Sequence, residues 1–273
     1  MQGRTSRLSS RFVIKSSDAT TASSEIEALS LVAAHTTIPV PRVWHSWHDE
    51  HGLNFITNYL EGETLQRAWK NMSSAQRLVV MNQLADYVQQ LRSISQPSPT
   101  PYPLATLSTQ HPVSCHGWIG ASLGHKFCDF CLSKTDVPFG VFAGQQEFYD
   151  ARIERFITTF EDHAETLARL AVVRQKMRIR GELPVIFTHG DINRRHVLVR
   201  VRGPEPEDVE VTALLDWEQA GWRPIYWESW KWLFETPHIP EWSDFGLREI
   251  GNGYDDGVQL ELELQDISGH VPL

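Results

Sequence analysis

Phe187-Thr188-His189-Gly190-Asp191-Ile192-Asn193-Arg194-Arg195-His196-Val197-Leu198-Val199 is the stretch on which this 273-residue chain turns. An apolar run, Pro184 to Phe187, leads into a polar loop, and a second, Val197 to Val199, leaves it. That pattern is strand, loop, strand. Further on stands Ala213-Leu214-Leu215-Asp216-Trp217-Glu218, where a short apolar strand from Val211 to Leu215 delivers Asp216 at its end. Two acids at the ends of short strands, with a third polar side chain following the first at His196, suit a metal–phosphate site. One carboxylate orients or deprotonates a nucleophile, and the other holds the metal that neutralises phosphate charge.

His189-Gly190-Asp191 followed by Asp216-Trp217-Glu218 resembles the aminoglycoside phosphotransferase and choline kinase family, which has a protein-kinase-like fold. Thr37-Ile38-Pro39-Val40-Pro41 and Glu61-Gly62-Glu63-Thr64-Leu65 extend the resemblance, best to the fungal-type branch. So do Ala220-Gly221-Trp222, Pro224 and Tyr226-Trp227-Glu228, all in family order from about Val13 to Trp232. The resemblance implies an α+β, two-lobed fold. A small sheet lobe over residues 1–60 would bind nucleotide, and a larger, mainly helical lobe over 61–273 would carry catalysis and the acceptor. It also implies ATP-dependent transfer of the γ-phosphoryl group to the hydroxyl of a small molecule.

Each role follows from the same resemblance. Asp191 is the implied catalytic base, aiming the acceptor hydroxyl; His189 braces its loop, and Arg195 with Arg194 are candidates to touch phosphate. Lys15 would hold the α- and β-phosphates and pair with Glu25, with Glu27 as the alternative. Backbone groups at Thr57, Asn58 and Tyr59 would meet adenine. Asp216 would be the principal ligand of Mg²⁺. At His196 most members carry asparagine, so direct ligation and a mere hydrogen bond to Asp216 both stay open. A neutral imidazole is a poorer ligand for Mg²⁺ than an amide oxygen, and a better one for Mn²⁺. Asn193 could hydrogen-bond Asp191 or substitute as a ligand.

Two departures stand out. Only fourteen residues precede Lys15, room for one short strand and a tight turn at Ser9-Ser10, so either the family's first strand is missing and its phosphate-covering loop shortened, or the sequence is truncated at its start. His196 is the other. They keep two further readings open: a kinase-like binding protein that has lost catalysis, and an enzyme of this fold with a different reaction.

Composition narrows the partners. A net charge of −9 argues against nucleic acid and fits a cationic or hydroxylated small molecule better than a polyanion. No apolar run reaches a membrane span, and no signal-peptide core opens the chain. Three cysteines are too few for a disulfide scaffold, which suits the cytoplasm. Cys115-His116, His125 and Cys128-Asp129-Phe130-Cys131 form at most a partial zinc set. The arginines and serines of residues 1–17 also suit a transit peptide, but Phe12-Val13-Ile14-Lys15 alternates as a strand ending in a lysine.

The remaining elements are expected as follows. A helix capped by Ser23-Ser24 runs from Glu25 to Ala34, and strands begin at Val40 and Asn54. A helix spans Ser73 to Ile94, burying Leu78, Met81, Leu84, Ala85, Val88 and Leu91. Residues 95–143 form a long acceptor loop. Gln145 to Arg178 makes one long helix or two. Core packing accounts for Trp217, Trp222, Trp227, Trp230 and Trp232, and the tail from about Glu261 is loosely held.

Overall fold

The computed structural model describes residues 4–50, 52–97, 114–132, 138–235, 239–251 and 253–269. Much of the expected acceptor loop therefore lies outside the described residues. The chain makes two lobes. The first is a four-stranded antiparallel sheet in the order β1-β2-β4-β3 with one helix against it. Its strands are β1 (Arg4–Arg7), β2 (Phe12–Ser17), β3 (Val43–Asp49) and β4 (Gly52–Asn58), and its helix is α1 (Ala19–His35). β1 is the short strand expected ahead of the lysine strand β2, and Leu8 N–H closes the turn between them on Phe12 O at 2.9 Å.

Register sets one face of this sheet toward the second lobe. Thr5, Lys15 and Phe55 stand opposite one another across three strands, and Arg7, Val13 and Thr57 form the next row. Residues two apart in a strand share a face, so Val13 and Lys15 point the same way as Phe55 and Thr57. α1 starts earlier than Ser23-Ser24 suggests. Asp18 caps it, its Oδ1 accepting from Thr20 N–H at 3.1 Å and Thr21 N–H at 3.0 Å. A carboxylate that satisfies two orphan donors is a sufficient start signal on its own. Ala22, Glu25, Ala28, Leu29 and Val32 then form the buried stripe.

The second lobe is mainly helical. β5 (Glu63–Thr64) pairs with β7 (Val197–Val201), and β7 with β8 (Val209–Leu214); β6 (Val185–Thr188) pairs with β9 (Gly221–Pro224). Around them pack α2 (Leu65–Ala68), α3 (Ser74–Arg92), α4 (Gln145–Thr159), α5 (Ala164–Arg180), α6 (Trp227–Glu235), α7 (Pro240–Phe245) and α8 (Asp255–Ser268). Ser73 and Gln76 cap α3 reciprocally. The expected stripe on α3 is corrected at one point: Leu78 is exposed, while Val80, Met81, Leu84, Val88 and Leu91 are buried.

The tail is a second correction. Glu261 sits in α8, fully buried, and clasps the Arg152 guanidinium at 2.8 and 2.6 Å. Tyr226 OH also donates to it at 2.8 Å. Charge burial of this kind is tolerated only with such partners. The tryptophans are core: Trp217, Trp222, Trp227 and Trp232 are fully buried, and Trp230 nearly so. The segment 37–39 joins the lobes by two hydrogen bonds. Thr37 N–H donates to Gln90 of α3 at 2.8 Å, and Leu214 N–H to Pro39 O at 2.8 Å.

Candidate active site

Lys15 is where the two lobes meet chemically. Its Nζ lies 2.7 Å from Glu25 Oε2, 2.6 Å from Asp216 Oδ1 and 3.7 Å from Glu218 Oε2. Burial works against the ammonium, but these carboxylates outweigh it and hold the Lys15 pKa above its ordinary value. For Asp216 burial opposes ionisation, yet Lys15 and then His196 keep its pKa low. Glu218 is the opposite case. Burial, then the neighbouring charges of Asp216, Glu25 and Asp191, push it up to about 7 against the pull of Lys15. Glu25, not Glu27, faces Lys15; Glu27 points to His125 instead.

The loop after β6 is built around Asp191. Gly190 has φ 76, and a Cβ there would stand 2.9 Å from Gln219 O, so both conformation and space require glycine. Glu228, arriving from α6, accepts from the N–H groups of His189 at 2.7 Å and Gly190 at 3.0 Å. His189 is buried and touches no solvent. Its Nδ1 accepts from Asp191 N–H at 3.1 Å, which puts its proton on Nε2, 3.0 Å from Leu215 O. Burial holds its pKa down to about 4, so it stays neutral. His189 therefore ties the Asp191 loop to the strand end that carries Asp216.

His196 stands between the two acids. Its Nδ1 is 3.2 Å from Asp191 Oδ2 and its Nε2 is 3.3 Å from Asp216 Oδ2. Burial alone would lower its pKa, but Asp191 and Asp216 raise it. Asn193 Nδ2 donates to Asp191 Oδ1 at 2.9 Å and lies 2.9 Å from His196 Nδ1. The ladder makes this possible: Leu215 N–H bonds His196 O at 2.8 Å, so the residues ending β8 and beginning β7 are neighbours. Asp216 has φ 66, in the left-handed region. Arg195 is exposed, with its N–H on Asn193 Oδ1 at 2.9 Å. The Arg194 guanidinium lies over the Trp69 ring, 5.3 Å from its centre.

A cavity of about 360 Å³ opens above Lys15. Thr5, Val13, Leu29, Phe55, Thr57, Asn58, Tyr59, Leu60, Leu198 and Leu215 line it, and Lys15, Glu25, His196 and Asp216 close its polar end. An apolar slot ending in a lysine and carboxylates suits a flat base with a phosphate chain. One expectation needs adjusting. Asn58 N–H already donates to Arg42 O at 3.3 Å, and Tyr59 N–H to Arg11 O at 2.7 Å. These two donors are committed to the sheet, while Thr57, Asn58, Tyr59 and Leu60 all line the cavity.

The acids outnumber the cations. Glu25, Asp216 and Glu218 surround Lys15, and His196 links Asp216 to a fourth acid, Asp191. Asp191, His196 and Asp216 hold ligand atoms within 4.8 Å of one another, and so do Glu25, Asp216 and Glu218. Such a surplus of hard oxygen donors fits a divalent cation. Among the described residues neither group includes a cysteine, so Cys115, Cys128 and Cys131 do not gather a metal set there. The sequence reading quoted Glu218 and Glu228 as motif residues but gave neither a role at this site. Glu228 lies far along the chain from the loop it braces, and Glu218 acts by facing Lys15 across the lobes.

Residues 3–257 match the family model described as phosphotransferase enzyme family. The chain belongs to that family. Among solved structures it is similar to a thermostable mutant of aminoglycoside phosphotransferase APH(4)-Ia, apo form, at 15% identity and TM-score 0.60, covering 97% of this chain and 81% of that one. It is similar to the gentamicin complex of APH(2")-IIa at 12% identity and TM-score 0.61, covering 97% and 78%. A ternary complex of an APH(4)-Ia mutant with ADP and hygromycin B matches at 13% identity and TM-score 0.58, covering 98% and 88%. At such identities the likeness shows the fold. No curated protein sequence matches. Among the described residues no helix is long and apolar enough to cross a membrane.

Proposed function

We propose that this phosphotransferase moves the γ-phosphoryl group of ATP to a hydroxyl of a small molecule. The observation that carries the reading is Lys15, held 2.7 Å from Glu25 and 2.6 Å from Asp216 at the polar end of the cavity. Lys15 grips the α- and β-phosphates, and Glu25 keeps its ammonium aimed. Asp191, fixed by Asn193 and by its own N–H on His189, accepts the acceptor's hydroxyl hydrogen and aims the oxygen at the γ-phosphorus. Transfer of this kind is positioning and charge neutralisation more than covalent chemistry.

A divalent ion, Mg²⁺ or Mn²⁺, fits at Asp216 with His196 or Glu218, and supplies neutralisation of the phosphate charge. The boundary near residue 60 then separates the nucleotide lobe from the acceptor lobe. The acid surplus favours a cationic or polyhydroxylated acceptor. Assignment to the fungal-type branch rests on the Thr37–Pro41 and Glu61–Leu65 segments, which here form a lobe-joining contact and the cavity rim. A cytoplasmic setting belongs to the same reading, supported by cysteines that form no disulfide.

The test is ATP binding and turnover, with divalent metal, against a panel of hydroxylated amines. Asp216→Asn should lose metal-dependent nucleotide binding. Asp191→Asn should bind normally and turn over about 10²–10⁴-fold more slowly. Nucleotide binding without turnover on any acceptor would favour a binding protein, and wild-type turnover in both variants would sink the mechanism.

A further inference from the structure

A second bridge joins the lobes through α1. The loop over residues 119–132 is rooted in the C-terminal lobe. Ile119 pairs with Phe142, Gly120 with Trp222 and Phe127 with Phe139 as isolated bridges. Its far end is anchored by Asp129, whose carboxylate accepts from Lys231 Nζ at 3.0 Å and Trp227 Nε1 at 3.3 Å. Between these roots the chain makes a tight turn, closed by Ala121 N–H on His125 O at 2.9 Å.

The tip of that turn grips α1. His125 Nε2 lies 3.3 Å from Glu27 Oε1, and Leu123 N–H donates to the same carboxylate. Cys128 meets the Thr21 hydroxyl six residues earlier on the helix. At 3.6 residues per turn, Glu25 and Glu27 project about 200° apart around the helix. α1 is thus held from two directions, by Lys15 through Glu25 and by the loop through Glu27. The Glu25 carboxylate is buried, so any roll of α1 that removes it from Lys15 leaves a charge without its counterion.

We propose that His125 and Glu27 are positioning residues of the nucleotide site: the 119–132 loop clamps α1 and thereby keeps Glu25 on Lys15. The proposal rests on the reading of Lys15 and Glu25 as the grip on the nucleotide's phosphates. It makes the acceptor-side loop a determinant of ATP affinity although no atom of it lines the cavity.

The experiment uses the full chain, a fluorescent ADP analogue and hydrogen exchange. The His125 side chain is 56% exposed, so its removal should leave the fold intact, with an unchanged melting midpoint as the check. His125→Ala and Glu27→Gln should each raise the analogue's Kd about two- to fivefold, the range of a partly exposed pair. They should also speed exchange of amides in α1. His125→Gln, which keeps a donor, should restore part of the affinity. In a Glu25→Gln background His125→Ala should cost nothing more, because the clamp acts only through Glu25. Unchanged exchange in α1, or an equal loss of affinity in that background, would overturn the clamp. If the wild type bound no nucleotide, the phosphotransferase reading would fail while the exchange measurement still judged the clamp.

Discussion

Glu218→Gln is expected to stabilise the ligand-free protein in alkaline solution and to leave it nearly unchanged in acid. In the folded chain Glu218 titrates at about 7, against 4.5 for an ordinary glutamate, because burial and three neighbouring carboxylates resist its charge. A carboxyl with a raised folded pKa binds its proton more tightly folded than unfolded. Its penalty is therefore negligible below 4.5, grows as pH rises from 4.5 to about 7, and is complete above that. At about 1.36 kcal/mol per pH unit the full penalty is at most about 3 kcal/mol. The side chain is 32% exposed and so partly screened, which brings the expectation to about 1–2 kcal/mol. Glutamine keeps the shape and removes the charge.

The assay is urea unfolding followed by tryptophan fluorescence, without divalent metal, for both forms at about pH 4.5 and about pH 8, comparing midpoints at constant slope. A gain near pH 8 that fades near pH 4.5 supports the electrostatic account. An equal gain at both values, or a loss near pH 8, would show that Glu218 is not under the repulsion the geometry implies. Adding divalent metal should reverse the ranking, since the ion rewards the carboxylate that glutamine lacks.

His196→Asn should shift metal preference from Mn²⁺ toward Mg²⁺, because an oxygen donor replaces a nitrogen. The acids around His196 raise its pKa, so a proton competes for the ligand nitrogen below that value; metal affinity of the wild type should rise with pH through it, and the asparagine form should show a flatter curve, checked by titrating turnover with each metal. Arg152→Met should cost about 3–5 kcal/mol in urea unfolding, because it strands the buried Glu261 charge. Adding Glu261→Leu should recover much of the loss.

What the sequence made legible was local or periodic. Strand alternation places Lys15 on β2, but its role, and that of Glu25 one turn before Leu29, were readable only through the family resemblance. Asp191 and Asp216 were readable because each ends a short apolar run. The start of α1 was missed because two serines look like caps while Asp18 holds the orphan donors. The α8 helix was missed because Val258, Leu260, Leu264 and Ile267 are interleaved with acids that usually face water. Glu261, one of those acids, faces Arg152 on α4, a pairing that no local pattern can announce. The bracing by Glu228 is hidden for the same reason: it reaches two backbone N–H groups on a loop 38 and 39 residues away.

The backbone at Asp216 has a bearing on how substitutions there should be chosen. Its φ of 66 lies where most side chains are strained by about 1–2 kcal/mol and asparagine is among the best tolerated. Alanine at 216 would remove the carboxylate and tighten the backbone penalty at once, so a loss of function would have two sources that no single assay separates. Glycine would remove the carboxylate and relax the turn, letting the neighbouring Leu215 carbonyl drift from His189. Asparagine alone keeps the left-handed residue comfortable and deletes only charge. A scan built on alanine would thus overstate the chemistry of this position and understate its geometry, and the ranking Asn, Gly, Ala in folding stability reads the backbone directly.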